Sequence, residues 1–239
     1  MSQRRIRAVL LDMDGLTLDT ESICYDAYLR AGRKFGFQVN ERLHMDLGGR
    51  TEPEIVAELK RLFGDDKDVR RWRSYINHQK GVILRERGRA GKKPGLLELL
   101  CYLGEMGIPY ALASSTERER IHELLATEYL VHAFPVIVSG DIVAHGKPDP
   151  EIFQVAAARL GVDPAETLVL EDARAGIEAA RAGGFQSAFV LDDVSKRGAI
   201  GDGYPILADL PSPQDVGPLA DFTPHDLEEA VAIIKQANS

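Results

Sequence analysis

Cysteine is nearly absent from these 239 residues. The two present, Cys24 and Cys101, form no CxxC pair and no disulfide-rich spacing, so a reducing compartment is the simpler setting, and neither sits in a zinc-ligand pattern. Positive charge is also in short supply. The 29 Lys and Arg stand against 37 Asp and Glu, a formal net charge of -8, which disfavours a nucleic-acid polymer as partner because that affinity rests on bulk positive charge. Any anionic ligand must be met by local groups. Long apolar runs are missing as well: the first, Ala8 to Leu11, stops at Asp12, far short of a signal-peptide core or a membrane span. A cytoplasmic protein with no membrane partner is the expectation. The methionines and the single Trp72 show no spacing that suggests a cofactor site.

What the chain does have is a 44% hydrophobic content, enough for one large domain or a core domain with a smaller insertion. Ala8 to Leu11 reads as a short buried strand, and Glu21 to Phe35 then switches to helical spacing, with Ile23, Ala27, Tyr28, Ala31 and Phe35 on one side and Gly36 as the stop. Thr51 with Glu54 forms a candidate capping box, Pro53 fits the first turn, and Ile55, Val56, Leu59, Leu62 and Phe63 mark an amphipathic helix. Residues 20 to about 92 therefore read as mainly helical.

Beyond Pro94 the pattern alternates. Helices are expected over Leu96 to Met106, Glu117 to Thr127, Pro150 to Leu160 (capped by Asp149) and Ala173 to Ala182. Between them lie short apolar runs, Pro109 to Ala113, Val136 to Val138, Thr167 to Leu170 and Gln186 to Val190. This α/β rhythm predicts a Rossmann-like parallel sheet with right-handed crossovers, in which ligands meet the carboxyl ends of the strands. Asp192 to Phe222, rich in Gly, Pro and Asp, is the least legible stretch, and Pro224 to Gln236 reads as a terminal helix.

Four of the expected strand ends carry chemistry. Asp12 and Asp14 follow the first strand, Ser114, Ser115 and Thr116 follow the second, Lys147 lies in HGKPDP, and Glu171 and Asp172 follow the fourth. Carboxylates hold a hard cation such as Mg²⁺, while a hydroxyl, backbone N–H groups and an ammonium hold phosphate oxygens. Asp19 stands where the first helix begins and reads as a helix-start residue.

With DMDGL at 12 to 16, Ser114 after a strand, Lys147 inside GKPDP and ED at 171 and 172, the chain resembles the haloacid dehalogenase superfamily of phosphohydrolases. The stretches DMDGLTLDTE, HGKPDPEIF and LVLEDARAGIEAA are typical of the subgroup with beta-phosphoglucomutases and phosphoglycolate phosphatases. The resemblance implies an aspartyl-phosphate mechanism, with Asp12 as nucleophile and Asp14 as general acid and base. It implies Mg²⁺ on Asp12, on the Asp14 carbonyl and on Asp172, with Glu171 close by, and a phosphoryl group held by Ser114, Ser115 and Lys147. It divides the chain into a catalytic core, 1–19 and 93–239, and an inserted α-helical cap, 20–92. Asp14 weighs against a dehalogenase, since attack at carbon needs no acid for an ester oxygen.

The substrate expected is a small phosphorylated metabolite, handled by a monomer or weak dimer. Arg50, in the Gly48-Gly49-Arg50-Thr51 loop, is a candidate cap contact. Ten basic residues against two acidic ones between Lys67 and Lys93 read chiefly as a solvated helix face, or as a means of drawing anions inward. Cys24 reads as a core or cavity-lining thiol and His145 as an exposed loop residue. A sugar phosphomutase is the second reading, opposed by Cys24 where the beta-phosphoglucomutases place a His. A non-catalytic relative that binds phosphometabolites is the third.

Overall fold

The computed structural model describes residues 5–48, 50, 52–192, 199–200 and 213–239. Five strands, β1 (Ala8–Leu11), β2 (Tyr110–Ser114), β3 (Ile137–Ser139), β4 (Thr167–Glu171) and β5 (Gln186–Phe189), form one sheet in the order β3-β2-β1-β4-β5, every pairing parallel. All four residues of β1 are buried, as a central strand covered on both faces requires, and this is why it reads as an unbroken apolar run.

Alternation along β1 sends its residues to two layers. Val9 and Leu11 pack with α5 (Leu96–Glu105), α6 (Arg118–Thr127) and the C-terminal helix α9 (Leu227–Asn238). Leu10 faces the other way, toward Ile152, Phe153 and Ala156 of α7 (Glu151–Leu160) and Ala179 and Ala180 of α8 (Arg174–Ala182). Each fully buried aliphatic side chain of this kind contributes about 1.5–3 kcal/mol. The chain end is tied in by Asn238, whose amide donates to the Ile6 carbonyl at 2.8 Å and accepts from the Ile6 N–H at 3.0 Å.

A second apolar cluster belongs to four helices: α1 (Thr20–Phe35), α2 (Glu41–Leu47), α3 (Glu52–Phe63) and α4 (Val69–Arg87). Its centre is aromatic, with Phe37 stacked on Trp72 at 4.3 Å between ring centroids. Helix α1 ends at Gly36, whose φ of 74° provides the left-handed turn. Thr51 of the expected capping box and Gly49 lie outside the described residues, as does most of 192–222. Ile200 exchanges both backbone hydrogen bonds with Val39 and packs on this helical cluster, so one residue from the C-terminal half joins it.

The basic stretch is not a plain solvated face. Arg73 is buried against Glu52 and Tyr28, Arg87 pairs with Asp26 at 2.5 Å, and Lys93 with Asp192 at 2.6 Å, while Arg70, Arg71 and Arg85 are exposed.

Two links join the helices to the sheet and lie side by side. Asp19 N–H donates to the Gly91 carbonyl at 2.9 Å and Lys93 N–H to the Thr17 carbonyl at 3.1 Å. Glu128, at the end of α6, braces the second link: its buried carboxylate accepts from the Gly91 N–H at 2.6 Å and from Lys92 Nζ at 2.9 Å, with Arg89 at 3.4 Å. Burial pushes Glu128 up, but these donors outweigh it and hold the group below its ordinary value. A carboxylate lowered on folding stabilises above its unfolded pKa and loses that contribution as pH falls through the lowered value. Glu128→Gln should therefore cost about 1–3 kcal/mol at neutral pH. In denaturant titrations the difference from wild type should shrink on acidification. A difference independent of pH would contradict the brace.

Candidate active site

The strand order turns around between β1 and β4, because the chain runs outward through β2 and β3 and then returns to the other side of β1. Such a switch point opens a crevice at the carboxyl ends of the two strands. Leu11 pairs with Leu170, and the Asp12 N–H donates to the Leu170 carbonyl at 3.1 Å, so register alone sets Asp12 beside Glu171.

Lys147 enters from the loop between β3 and α7. Its ammonium donates to Asp12 Oδ1 at 2.5 Å, to Glu171 Oε1 at 2.6 Å and to the Ala113 carbonyl at 3.4 Å, and it lies 4.9 Å from the Phe153 ring centroid. The second oxygen of Glu171 accepts the backbone N–H groups of Asp172 and Ala173, both at 3.0 Å. Helix α8 can come this close only because residue 176 is Gly: a Cβ there would lie 1.9 Å from Glu171 Cδ. Gly15, at φ 81°, plays the same part for Asp172, whose Oδ2 would lie 1.9 Å from an added Cβ.

Asp12, Glu171 and Asp172 thus confront one ammonium. Burial, with Glu171 and Asp14, pushes Asp12 up to about 8 against the pull of Lys147, and burial with Glu171, Asp12, Glu21 and Asp192 raises Asp172 well above its usual range. Burial alone would lower Lys147, yet Asp12 and Glu171 hold it above its ordinary value, so the ammonium stays charged but cannot by itself balance all three acids in their ionised form. Among the described residues no side chain or N–H donates to the Asp172 carboxylate. The three acids can each bring an oxygen within 4.8 Å of the others. That donor set suits a hard divalent cation, which would relieve the imbalance.

Asp14 lies beyond the strand, in a turn closed by the Thr17 and Leu18 N–H groups on the Met13 carbonyl. Thr20 Oγ1 donates to its Oδ1 at 2.7 Å, and Thr116 Oγ1 to its Oδ2 at 2.7 Å, with Ser114 Oγ at 3.3 Å from the same oxygen. Burial and the neighbouring Glu21 raise Asp14, while the two threonine bonds and Lys80 hold that rise back. Asp14 keeps its proton to higher pH than an ordinary aspartate.

The expected residues converge here, with differences. Ser114 is wholly buried, and its Oγ also accepts the Thr116 N–H at 3.1 Å, whereas Ser115 and Thr116 line the cavity. Helix α6 begins at Arg118, its N–H capped by Asp141 at 3.1 Å, so Ser115 stands in the turn three residues ahead of the helix. Asp19 occupies the cap position of α1, its carbonyl accepting from Ser22 Oγ. His145 is exposed and held by Glu151.

A cavity of about 380 Å³ separates these residues from the helices above. Its roof includes Cys24, Arg50, Arg73 and Lys80. Arg50 is ion-paired with Asp46 at 2.9 Å. The sequence singles out Thr116 only as a strand-end hydroxyl and Arg73 and Lys80 only as part of the basic stretch, and it does not single out Thr20. The two threonines were traceable as hydroxyls next to charged strand ends; which of ten cations faces the cavity depends on how α4 is rotated over the sheet.

Residues 9–190 match the family model of haloacid dehalogenase-like hydrolases. A phosphorylated carbohydrates phosphatase of Thermotoga maritima is 33% identical over 76% of this chain and 83% of its own length. The beta-phosphoglucomutase of Bacillus subtilis is 29% identical over 86% and 88%. The fold is shared with a crystal structure of a family hydrolase from Deinococcus radiodurans, at a TM-score of 0.74 and 23% identity over 99% of this chain and 97% of that one. With its acid pair at the switch point and its family match over most of its length, the chain is an enzyme of the haloacid dehalogenase-like hydrolase family.

Proposed function

We propose that this enzyme is a phosphatase that hydrolyses the monoester of a small phosphorylated metabolite through an aspartyl phosphate on Asp12. The observation that carries the reading is the contrast between two aspartates two residues apart. Asp12 is gripped by an ammonium through one oxygen, leaving the other for attack, and Asp14 is held by hydroxyls with its pKa raised.

In the first step an Asp12 oxygen bonds to phosphorus as the ester oxygen leaves with the proton of Asp14. In the second, the Asp14 carboxylate takes a proton from water as the water oxygen attacks phosphorus, releasing phosphate and restoring both carboxyl groups. Lys147 and the Ser114 to Thr116 turn hold the phosphoryl oxygens. Asp12 and Asp172 would hold Mg²⁺, with the Asp14 carbonyl that the family resemblance adds, and when bound it would neutralise the repulsion between carboxylate and phosphate. Glu171 is a positioning residue in this scheme, because both its oxygens already hold Lys147 and the start of α8.

Residues 20–92 serve as the cap, excluding water and reading the part of the substrate beyond the phosphate through the roof that contains Arg50, Arg73 and Lys80. The Thermotoga maritima relative makes a phosphorylated carbohydrate the first substrate class to try. No helix among the described residues is long and apolar enough to cross a membrane. The proposal places the enzyme in the cytoplasm, acting on small metabolites as a monomer or weak dimer. The mutase reading draws on the Bacillus subtilis relative, and Cys24 in the roof, where those enzymes are expected to carry a His, stands against it.

Phosphate release from a panel of sugar phosphates, phosphoglycolate, nucleotides and an aryl phosphate should proceed with Mg²⁺ and stop with excess chelator. Asp12→Asn should lower turnover by about a thousandfold or more, about 4 kcal/mol on the barrier. A loss below about tenfold, or about 1.4 kcal/mol, would remove Asp12 as nucleophile.

A further inference from the structure

In the roof of the cavity, opposite the acids of the sheet, three side chains of different chemistry converge. Glu21 and Cys24 are three residues apart on α1 and share a face, and His44 reaches them from α2. His44 Nε2 lies 2.9 Å from Glu21 Oε2, and one carboxylate oxygen, the thiol sulfur and a ring nitrogen lie within 4.8 Å of one another. All three line the cavity. The Tyr25 and His44 rings meet edge to face, 5.3 Å between centroids.

We propose that Glu21, Cys24 and His44 form a second metal site, specific for a thiophilic divalent ion of the Zn²⁺ class, with its fourth position open to the cavity. One oxygen, one sulfur and one nitrogen with a free position is the donor pattern of open zinc sites, and a thiolate selects such ions over Mg²⁺. Zinc-ligand bonds of about 2.0–2.3 Å place tetrahedral ligands about 3.4–3.6 Å apart. The pair at 2.9 Å must open by about half an ångström, and the rest must close by about 1.4 Å at most, which side-chain rotation provides. On binding, the thiol proton of Cys24 and any proton shared by His44 and Glu21 leave to solvent.

Lys80 lies against Cys24 and is the nearest opposing charge, with Arg73 farther along the roof. It does not prevent binding, because one thiolate and one carboxylate cancel the charge of a divalent ion and leave Lys80 facing a neutral group. The carboxylates below, Asp12, Glu171 and Asp172, offer only oxygen and a different preference. An ion in the roof would occupy volume that a substrate must enter. The site does not depend on the phosphatase reading, since it involves none of the reacting groups. No zinc spacing is legible in the sequence, because the ligands are split between two helices and the thiol is alone.

The test is Co²⁺ added to the full chain in excess Mg²⁺, followed by optical absorption. Wild type and Cys101→Ser should take up one Co²⁺ with a thiolate-to-metal charge-transfer band that Zn²⁺ displaces. Cys24→Ser should lose the band, and His44→Gln and Glu21→Gln should weaken Co²⁺ binding by at least about tenfold while circular dichroism shows the fold retained. Absence of the band in wild type would overturn the proposal. So would a band that survives in Cys24→Ser, or uptake only at the surface cluster of His145, Asp149 and Glu151, which has no sulfur.

Discussion

The Lys147 ammonium, buried between Asp12 and Glu171, is the contact on which the rest of the site depends. It binds the ends of β1 and β4 to the loop before α7, and so fixes three chain segments about one point. Breaking such a buried pair leaves an uncompensated charge, at a cost of about 3–5 kcal/mol. One cation cannot balance three carboxylates, however. The raised pKa values of Asp12 and Asp172 express the same imbalance, and in the proposed phosphatase a divalent cation would relieve it and offset the repulsion between these carboxylates and a phosphate.

The helical unit takes its place from the site in two ways. Its two links run beside each other and are braced by Glu128, which sets where the helices stand over the sheet edge. Thr20, the first residue of α1, donates directly to Asp14. The position of the roof is thereby coupled to the carboxyl group assigned as acid, so a movement of α1 would disturb that hydrogen bond. The cavity then presents carboxylates and an ammonium below, and a mixed set of thiol, imidazole and cations above.

Much of this is legible in the sequence itself. Buried parallel strands are continuous apolar runs, so β1 was read at its observed bounds and the polar residues after it stood out. Gly36 ended α1 as its position implied. The sequence could not show register, and it is register that sets Asp12 beside Glu171 and lets Thr116 reach Asp14. Helix α4 was hidden within a charged stretch, because its buried stripe is only Val69, Trp72, Ile76 and Ile83 together with Arg73, an arginine that reads as solvent-facing until Glu52 and Tyr28 are seen around it. The hydroxyl of Ser114 turned out to face Asp14, a contact that no spacing rule gives.

The most direct measurement is the thermal midpoint of wild type and Asp172→Asn as Mg²⁺ is titrated. An ion bound only by the folded chain at about 100 times its Kd adds about 2.7 kcal/mol. If the cation answers the crowding of three acids about one ammonium, wild type should be stabilised by about that amount and its midpoint should rise, while Asp172→Asn starts higher without metal and responds little. A variant that starts lower and gains as much from Mg²⁺ as wild type would contradict the account.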